Sequence, residues 1–253
     1  MENTGITLSP APRWSRRTWL KALTAGGAWP LMAGAQEVQS PWPQTLVLEY
    51  DVSGQARGLP YRASSQLTWN GQADRYEAQL DMRIRLLGRR TQRSSGRWSL
   101  AGMQPALFID QARRERRFEI DGLRQQFRLF REGELVREGP LAPGSQDHLT
   151  LFFELALRAH RQAGRFTPEP WVVPVMGHHG AEPWTFVWKG AERLDIPAGH
   201  LPTQRLERQP REPEDTRMSL WLHEALGWLP VRILLQDPNG DVVDQRLRSW
   251  PPP

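Results

Sequence analysis

Residues 75–86 read RYEAQLDMRIRL, and this stretch decides the fold class. Apolar side chains from Tyr76 to Leu86 alternate with charged or polar ones at every second position. A period of two sorts the two sets onto the two faces of a β-strand, whereas a helix would scatter both around its circumference. The stretch therefore predicts a long antiparallel strand with one face in the core and the other in water.

The same alternation recurs along most of the chain. Strands are predicted at 45–52, 61–69, 75–86, 97–101, 106–112, 116–121, 125–131, 184–189, 191–196, 201–208, 217–223, 229–236 and 241–249. Residues typical of turns separate several of them, and Asn70-Gly71 is predicted to form a tight hairpin turn. We therefore expect a mainly β fold, an antiparallel meander that forms a curved sheet or a half-open barrel (β-roll).

One segment in the middle of the chain has helical spacing instead. Within 146–162 the apolar residues from Leu149 to Leu157 recur at helical intervals, and either Ser145 or Asp147 can cap the start. This pattern predicts one amphipathic helix near 146–162.

The N-terminal region has the three parts of an export signal. In SRRTWLKALTAGGAWPLMAGAQE (15–37), Arg16 and Arg17 precede a weakly apolar run. Small residues then allow cleavage between Ala35 and Gln36. The paired arginines favour a twin-arginine signal, and the alternative is an ordinary secretory signal that contains two arginines. The predicted product is periplasmic and soluble after cleavage.

The signal and the strand pattern together predict the domain organisation. The predicted segments are a cleavable signal at 1–35, a flexible leader at 36–44, a single antiparallel β domain at 45–250 and a proline tail at 251–253.

Charge and cysteine content exclude several classes of function. The chain has 33 Lys and Arg against 28 Asp and Glu. Residues 1–35 contain four of these bases and one of these acids, so the cleaved chain keeps 29 against 27, a net charge of +2. This balance argues against a nucleic-acid partner, and the arginine runs at 83–90 and 113–117 are interpreted as solvated strand faces. The absence of cysteine excludes disulfides, thiol nucleophiles and thiolate metal sites.

Motifs for catalysis or cofactor binding are absent from the sequence. There is no G-x-S-x-G elbow, phosphate loop, dinucleotide fingerprint or calcium loop. His178-His179 lack the paired histidine spacing of a metal site and are interpreted as an exposed loop. We therefore predict no catalytic residue, no metal and no cofactor.

The frequent tryptophans allow two interpretations. The chain has 12 of them, most on predicted strands, and they can pack a core between curved sheet faces. Alternatively, they line an apolar trough that the helix covers only in part, where a ligand fills the remainder. The candidate lining residues are Leu80, Met82, Phe108, Trp188 and Trp221.

Three segments of the second half carry a family resemblance. PGSQDHLTLFFELALRA (143–159), WTFVWKGAERLDIPAGHLPTQRLER (184–208) and LWLHEALGWLPVRILLQD (220–237) resemble the bacterial domain of unknown function 3108 family. The resemblance implies an exported, mostly antiparallel β protein with no established activity. It also implies a shape similar to that of periplasmic lipoprotein carriers, in which a half-closed barrel shelters an acyl chain.

Two hypotheses of different classes follow. The first is a non-catalytic periplasmic binding or carrier protein with an apolar, lipid-like ligand in the trough. The second is an envelope assembly or maintenance protein that binds a protein partner through a sheet surface or edge strand. An uncharacterised hydrolase is a third, less favoured alternative. The export machinery is expected to recognise the signal.

Overall fold

The structure, a computed structural model, describes residues 40–84, 88–177 and 180–250. Some sequence predictions lie outside the described residues: Arg16 and Arg17 of the export signal, the cleavage site between Ala35 and Gln36, the His178-His179 pair and the tail 251–253.

In the described part of the chain, fourteen strands form one antiparallel sheet. They are β1 (Thr45–Ala56), β2 (Leu59–Gln72), β3 (Arg75–Ile84), β4 (Gly88–Ser99), β5 (Gly102–Gln111), β6 (Glu115–Asp121), β7 (Gln126–Arg131), β8 (Glu134–Pro140), β9 (Trp171–Gly177), β10 (Gly180–Ile196), β11 (Gly199–Gln209), β12 (Arg217–Leu222), β13 (Pro230–Gln236) and β14 (Val242–Ser249). The α-helix α1 (Thr150–Arg161) connects β8 to β9, and a short 3₁₀ turn spans Glu224–Leu226.

The strand order places the middle of the chain at the two edges of the sheet. Strands β1 to β8 pair one after another, strands β9 to β14 do the same, and β14 pairs with β1 between the two sets. The edges are therefore β8 and β9, and the described sheet does not close into a barrel. The prediction of a mainly β, antiparallel, half-open barrel is confirmed.

The helix α1 is shorter and more deeply buried than the sequence predicts. It begins at Thr150, and the carboxylate of Asp147 accepts hydrogen bonds from the backbone N–H groups of Leu149 and Thr150, both at 2.8 Å. Of the two predicted caps, Asp147 therefore has the capping role. Every residue of the helix from Thr150 to Leu157 is buried, so its burial is not confined to one stripe. No helix among the described residues is long and apolar enough to cross a membrane.

Aromatic side chains fill the space between α1 and the sheet face that it contacts, which we call the inner face. The ring of Phe153 stacks on that of Trp69 with centroids 4.7 Å apart, and Trp69 stacks in turn on Tyr76 at 5.4 Å. Trp42 and Trp98 complete the group, each contacting Trp69 at its edge. These residues belong to one hydrophobic core that includes side chains from both halves of the sheet.

The hairpin turn predicted at Asn70-Gly71 lies elsewhere. Both residues belong to β2, and the chain reverses at Ala73 and Asp74, where Ala73 has a φ of 50°. A Cβ on Gly71 would lie 2.9 Å from the indole nitrogen of Trp69. The glycine at this position is therefore explained by the close approach of Trp69, and the turn prediction is wrong.

Candidate functional site

The N-terminal end of α1 is fixed to the inner face by a buried chain of hydrogen bonds. Ser94 on β4 donates from its hydroxyl to the carboxylate of Asp147 at 2.6 Å. The same hydroxyl lies 2.9 Å from the hydroxyl of Tyr76 on β3. Asp147 therefore connects the helix to two neighbouring strands.

Burial determines the electrostatics of this chain. Removal from water raises the pKa of Asp147 to about 6, although its hydrogen bonds with Ser94 and the helix amides favour the ionised form. Burial, followed by the negative charge of Asp147, raises the pKa of Tyr76 well above its usual range. Asp147, Ser94 and Tyr76 are each no more than 2% exposed. A substrate has no access to these groups, and their arrangement serves to hold the helix.

The C-terminal half of α1 is fixed by a second buried carboxylate. Glu154 accepts hydrogen bonds from the backbone N–H of Met103 on β5 at 3.0 Å and from Arg158 at 3.1 Å. Arg161 donates to the carbonyl of Leu100 at 2.8 Å, and Arg158 donates to the carbonyl of Val172 on β9 at 2.9 Å. The helix therefore joins β5, in one half of the sheet, to the edge strand β9.

The edge of the sheet at β9 is partly covered. The backbone N–H of Gln146 donates to the carbonyl of Pro174, and the N–H of Met176 donates to the carbonyl of Gln146, both at 2.8 Å. Pro174 has no N–H to offer, and Arg158 occupies the carbonyl of Val172. These contacts occupy three of the backbone groups that the edge strand would otherwise present to another chain, although the side chain of Val172 is 48% exposed.

The edge at β8 is open. It pairs with β7 on one side, and no described strand pairs with its other side. Six of its seven residues are exposed and the remaining one is partly buried, so neither face of the strand is covered. Leu135 is 50% exposed and Val136 is 46% exposed. Leu129 pairs with Arg137 and the next residue, Phe130, pairs with Leu135, so Val136 is the extra residue of a β-bulge in β8.

The outer face of the sheet holds ion pairs and two shallow grooves. A groove of about 270 Å³ crosses β2 to β5 between Thr68, Arg93 and Ile109. A second, of about 420 Å³, crosses β10 to β13 between Lys189, Arg205 and Arg217. Polar and apolar side chains line both grooves. Neither groove is the apolar trough of the sequence prediction, which would lie on the inner face beside α1, and that trough stays a prediction.

Four of the five candidate trough residues lie on the inner face. Leu80 and Phe108 are buried in the core, whereas Met82 and Trp188 are partly buried. Trp221 lies on the outer face, where its ring packs between Arg205 and Arg232 and its indole N–H donates to Glu192 at 2.6 Å. It therefore cannot line an inner trough with the other four, for which contact with a ligand stays a prediction.

The sequence analysis interprets the arginine runs as solvated strand faces. In the structure, some of these arginines instead pair with a buried acid. Arg90 makes a bidentate pair with Asp110 at 2.9 Å, and Arg116 bonds to the same carboxylate. Burial alone would raise the pKa of Asp110, but its bonds and charge contacts with the two arginines outweigh this and hold it below its usual range. These arginines stabilise a buried acid.

Metal-binding clusters are absent from the part of the chain that the structure describes. It contains no group of three or more His, Asp or Glu side chains placed to hold a metal ion.

A family model matches residues 49–247, and its description is "Protein of unknown function (DUF3108)". The chain belongs to this family. The match covers most of the sheet of this DUF3108 protein and all of α1. No curated protein sequence matches the chain.

A solved structure supports the fold of the DUF3108 chain. It is a β-barrel-like protein of the domain of unknown function DUF1849 from Brucella abortus, 10% identical, with a TM-score of 0.55, and the match covers 83% of this chain and 98% of that one. At this identity the likeness shows the fold alone. MucB matches with 13% identity and a TM-score of 0.29 over 85% of this chain and 55% of its own, which is too weak to carry an argument.

Sequence reasoning missed the residues that fix α1 in the DUF3108 fold. Ser94 and Tyr76 are distant in sequence from Asp147 and carry no motif. Glu154 offers one signal, an acidic residue at a position in 146–162 where both neighbours are apolar. The open edge β8 was also missed, because its residues do not alternate.

Proposed function

We propose that this DUF3108 protein is a non-catalytic protein of the bacterial envelope that acts through a protein–protein contact at β8. The observation that carries the proposal is the difference between the two edges of the sheet. Gln146 and Arg158 occupy part of the β9 edge, whereas no described residue bonds to the free side of the β8 backbone. An exposed edge strand can accept a strand of a partner by main-chain hydrogen bonds.

A photo-crosslinking amino acid at position 135, in cells that produce the protein, tests this proposal. Leu135 is half exposed on β8, and Leu123, which is 100% exposed in the turn before β7, is the matched control position. We expect a crosslinked product from position 135 that position 123 does not give. Equal products from both positions, or none from 135, would overturn the proposal.

A carrier of an apolar ligand is the second candidate. The observation that favours it is the apolar helix α1 on the inner face, the place where a half-closed barrel would hold an acyl chain. In this proposal the ligand replaces part of α1 and contacts Leu80, Met82, Phe108 or Trp188. Native mass spectrometry of protein purified from the periplasm tests it. A mass released by organic solvent would support a ligand, and a bare polypeptide mass would contradict it.

Periplasmic location and twin-arginine export complete the proposal. The arginine pair and the small residues before Gln36 support it. Replacing Arg16 and Arg17 with lysine is expected to stop export, and unchanged export would show that another signal is used.

A further inference from the structure

Exposed arginines gather at one end of the sheet, which we call the upper end. It is the end where β1 connects to β2, β3 to β4 and β5 to β6, because these antiparallel strands run alternately up and down. Arg57 lies in the first of these connections and Arg113 in the third, and both are exposed. Arg62 and Arg83 are exposed near the upper ends of β2 and β3, where they share the outer face, since Ser64 pairs with Arg83.

These four arginines are free for a partner. Their side chains make no ion pair or hydrogen bond with any described residue. Neighbouring arginines differ, because Arg89 pairs with Asp81 at 2.6 Å. Against the four, the acids Asp241 and Glu115 lie in or beside connections at the same end. Asp241 accepts the backbone N–H of Arg57 at 2.7 Å. The charge of this group of six stays positive.

The two halves of the sheet differ in charge. Residues 45–140, which contain β1 to β8, have 17 arginines and 12 acids, a net charge of +5. Residues 171–250, which contain β9 to β14, have nine Lys or Arg and 11 acids, a net charge of −2. An extended anionic surface therefore attracts the first half and repels the second, which orients the molecule on it.

An exposed apolar residue lies among the arginines. Leu59 is the first residue of β2, pairs with Ala56 beside Arg57, and is 72% exposed. A leucine gains free energy on entering the interface of a lipid bilayer, and arginines nearby gain from anionic headgroups. A nucleic acid would use the arginines and leave Leu59 in water. The combination therefore favours a lipid surface.

We infer that the upper end of β1 to β6 binds the surface of a membrane that contains anionic phospholipid. Arg62, Arg83 and Arg113 contact the headgroups, and Leu59 enters the interface between them. This contact goes beyond the proposed function, since it does not use the free edge of β8, and either can hold without the other.

Vesicle binding tests the inference. Protein purified from the soluble fraction of cells is titrated with vesicles of phosphatidylcholine, with or without phosphatidylglycerol, and sedimented. We expect binding only where phosphatidylglycerol is present, and high salt should weaken it because screening acts on exposed charges.

Two triple variants separate the position of the charges from the net charge. R62Q with R83Q and R113Q should bind vesicles with phosphatidylglycerol at least about tenfold more weakly. The control, R97Q with R124Q and R193Q, removes the same charge from exposed arginines near the opposite end of the strands. It should stay within about threefold of the wild type. Equal losses in the two variants would overturn the inference.

A pair of leucine variants tests the apolar contact without changing the charge. Leu59→Ser should weaken binding, and Leu123→Ser, which changes a fully exposed leucine in the turn before β7, should not. Equal effects of the two substitutions would overturn the inference. So would binding to neither kind of vesicle, equal binding to both, or tighter binding to a DNA oligonucleotide. None of these results bears on the crosslink from position 135.

Discussion

At the scale of single residues, Asp147 shows how one carboxylate both positions an element and responds to pH. It caps α1 and anchors it to Ser94, and both roles need oxygen acceptors but not a negative charge. Its charge is nevertheless kept out of water, and the cost of that burial is visible in its raised pKa. Asparagine has the same shape and no charge: it keeps one oxygen for the helix amides and places an NH₂ group against Ser94, whose hydroxyl oxygen can accept from it.

Replacing Asp147 with asparagine should remove a pH dependence of stability. The folded pKa of about 6 exceeds the ordinary value of 3.8. The stabilisation that this shift gives is fully present below pH 3.8 and is lost as pH rises through 6, a change of about 3 kcal/mol in the free energy of unfolding. Carboxyls with a lowered pKa, such as Asp110, change stability in the opposite direction, so the two proteins are compared with each other. Between pH 4 and pH 7.5 the free energy of unfolding, measured in urea, should fall more or rise less in the wild type than in D147N, by about 2–3 kcal/mol.

The exposed Asp195→Asn variant is the control, since that carboxyl is 81% exposed. It should keep the wild-type difference between the two pH values. An equal difference in wild type and D147N would contradict the assignment to Asp147.

The close side chain of Trp69 explains why position 71 is a glycine. An added Cβ would lie 2.9 Å from the indole nitrogen of Trp69 and 3.1 Å from two ring carbons. Gly71→Ala is therefore expected to lower the free energy of unfolding by about 1–3 kcal/mol. Gly122→Ala, whose Cβ would meet nothing within 4 Å, should change it by less than about 0.5 kcal/mol. Equal effects in the two variants would show that Trp69 moves aside freely.

At the scale of elements, the strands that sequence alternation predicts are those with one buried and one wet face, such as β1 and β3. The two edge strands do not follow this rule. β8 is exposed on both faces and so has no alternation, and β9 contains Pro174 and is apolar on successive residues. β4 was recognised only near its end, because polar Gln92 and Ser94 take buried inner positions there.

The misplaced Trp221 has a different cause. In β12, which reads RMSLWL, Leu220 and Leu222 share one face and Trp221 occupies the other, with Arg217. The period of two therefore separates it from the core residues. The prediction for Trp221 rests on the hydrophobic character of the side chain and not on its position in the strand. Cation–π contacts with arginine can hold a tryptophan on a charged face.

Glu154 bonds α1 to β5, and this contact gives a prediction for the stability of the helix. Glu154→Ala leaves the buried N–H of Met103 without an acceptor, and an unsatisfied buried donor plus a broken buried pair costs about 2–4 kcal/mol. Glu154→Gln keeps an oxygen for that N–H and should cost less. Hydrogen exchange of the α1 amides, with exposed Glu212→Ala as the control, measures the difference. Equal exchange in all three variants would contradict the proposed anchor.

At the scale of the whole molecule, one continuous core joins both halves of the sheet through α1. A core without an internal boundary predicts a single cooperative unfolding transition. Tryptophan fluorescence reports on packing in both halves of the sheet, since Trp69 lies in one and Trp171 in the other, and far-UV circular dichroism reports on all strands. Each denaturation curve should show one transition, and the two curves should coincide. A curve with two steps would mean that the halves unfold independently and that α1 does not couple them.

The pairing of β1 with β14 has a consequence for how the chain is made. Ser249 bonds to Glu49 across 200 residues, so the ribosome must synthesise both meanders before this seam can form. Strands β1 to β8 can pair with their sequence neighbours as they emerge, since local contacts form early. The flank of β1 that β14 later covers is bare throughout that time. Translation thus creates a temporary edge in the middle of the future sheet, and unpaired strand edges of this kind favour aggregation while a chain is incomplete.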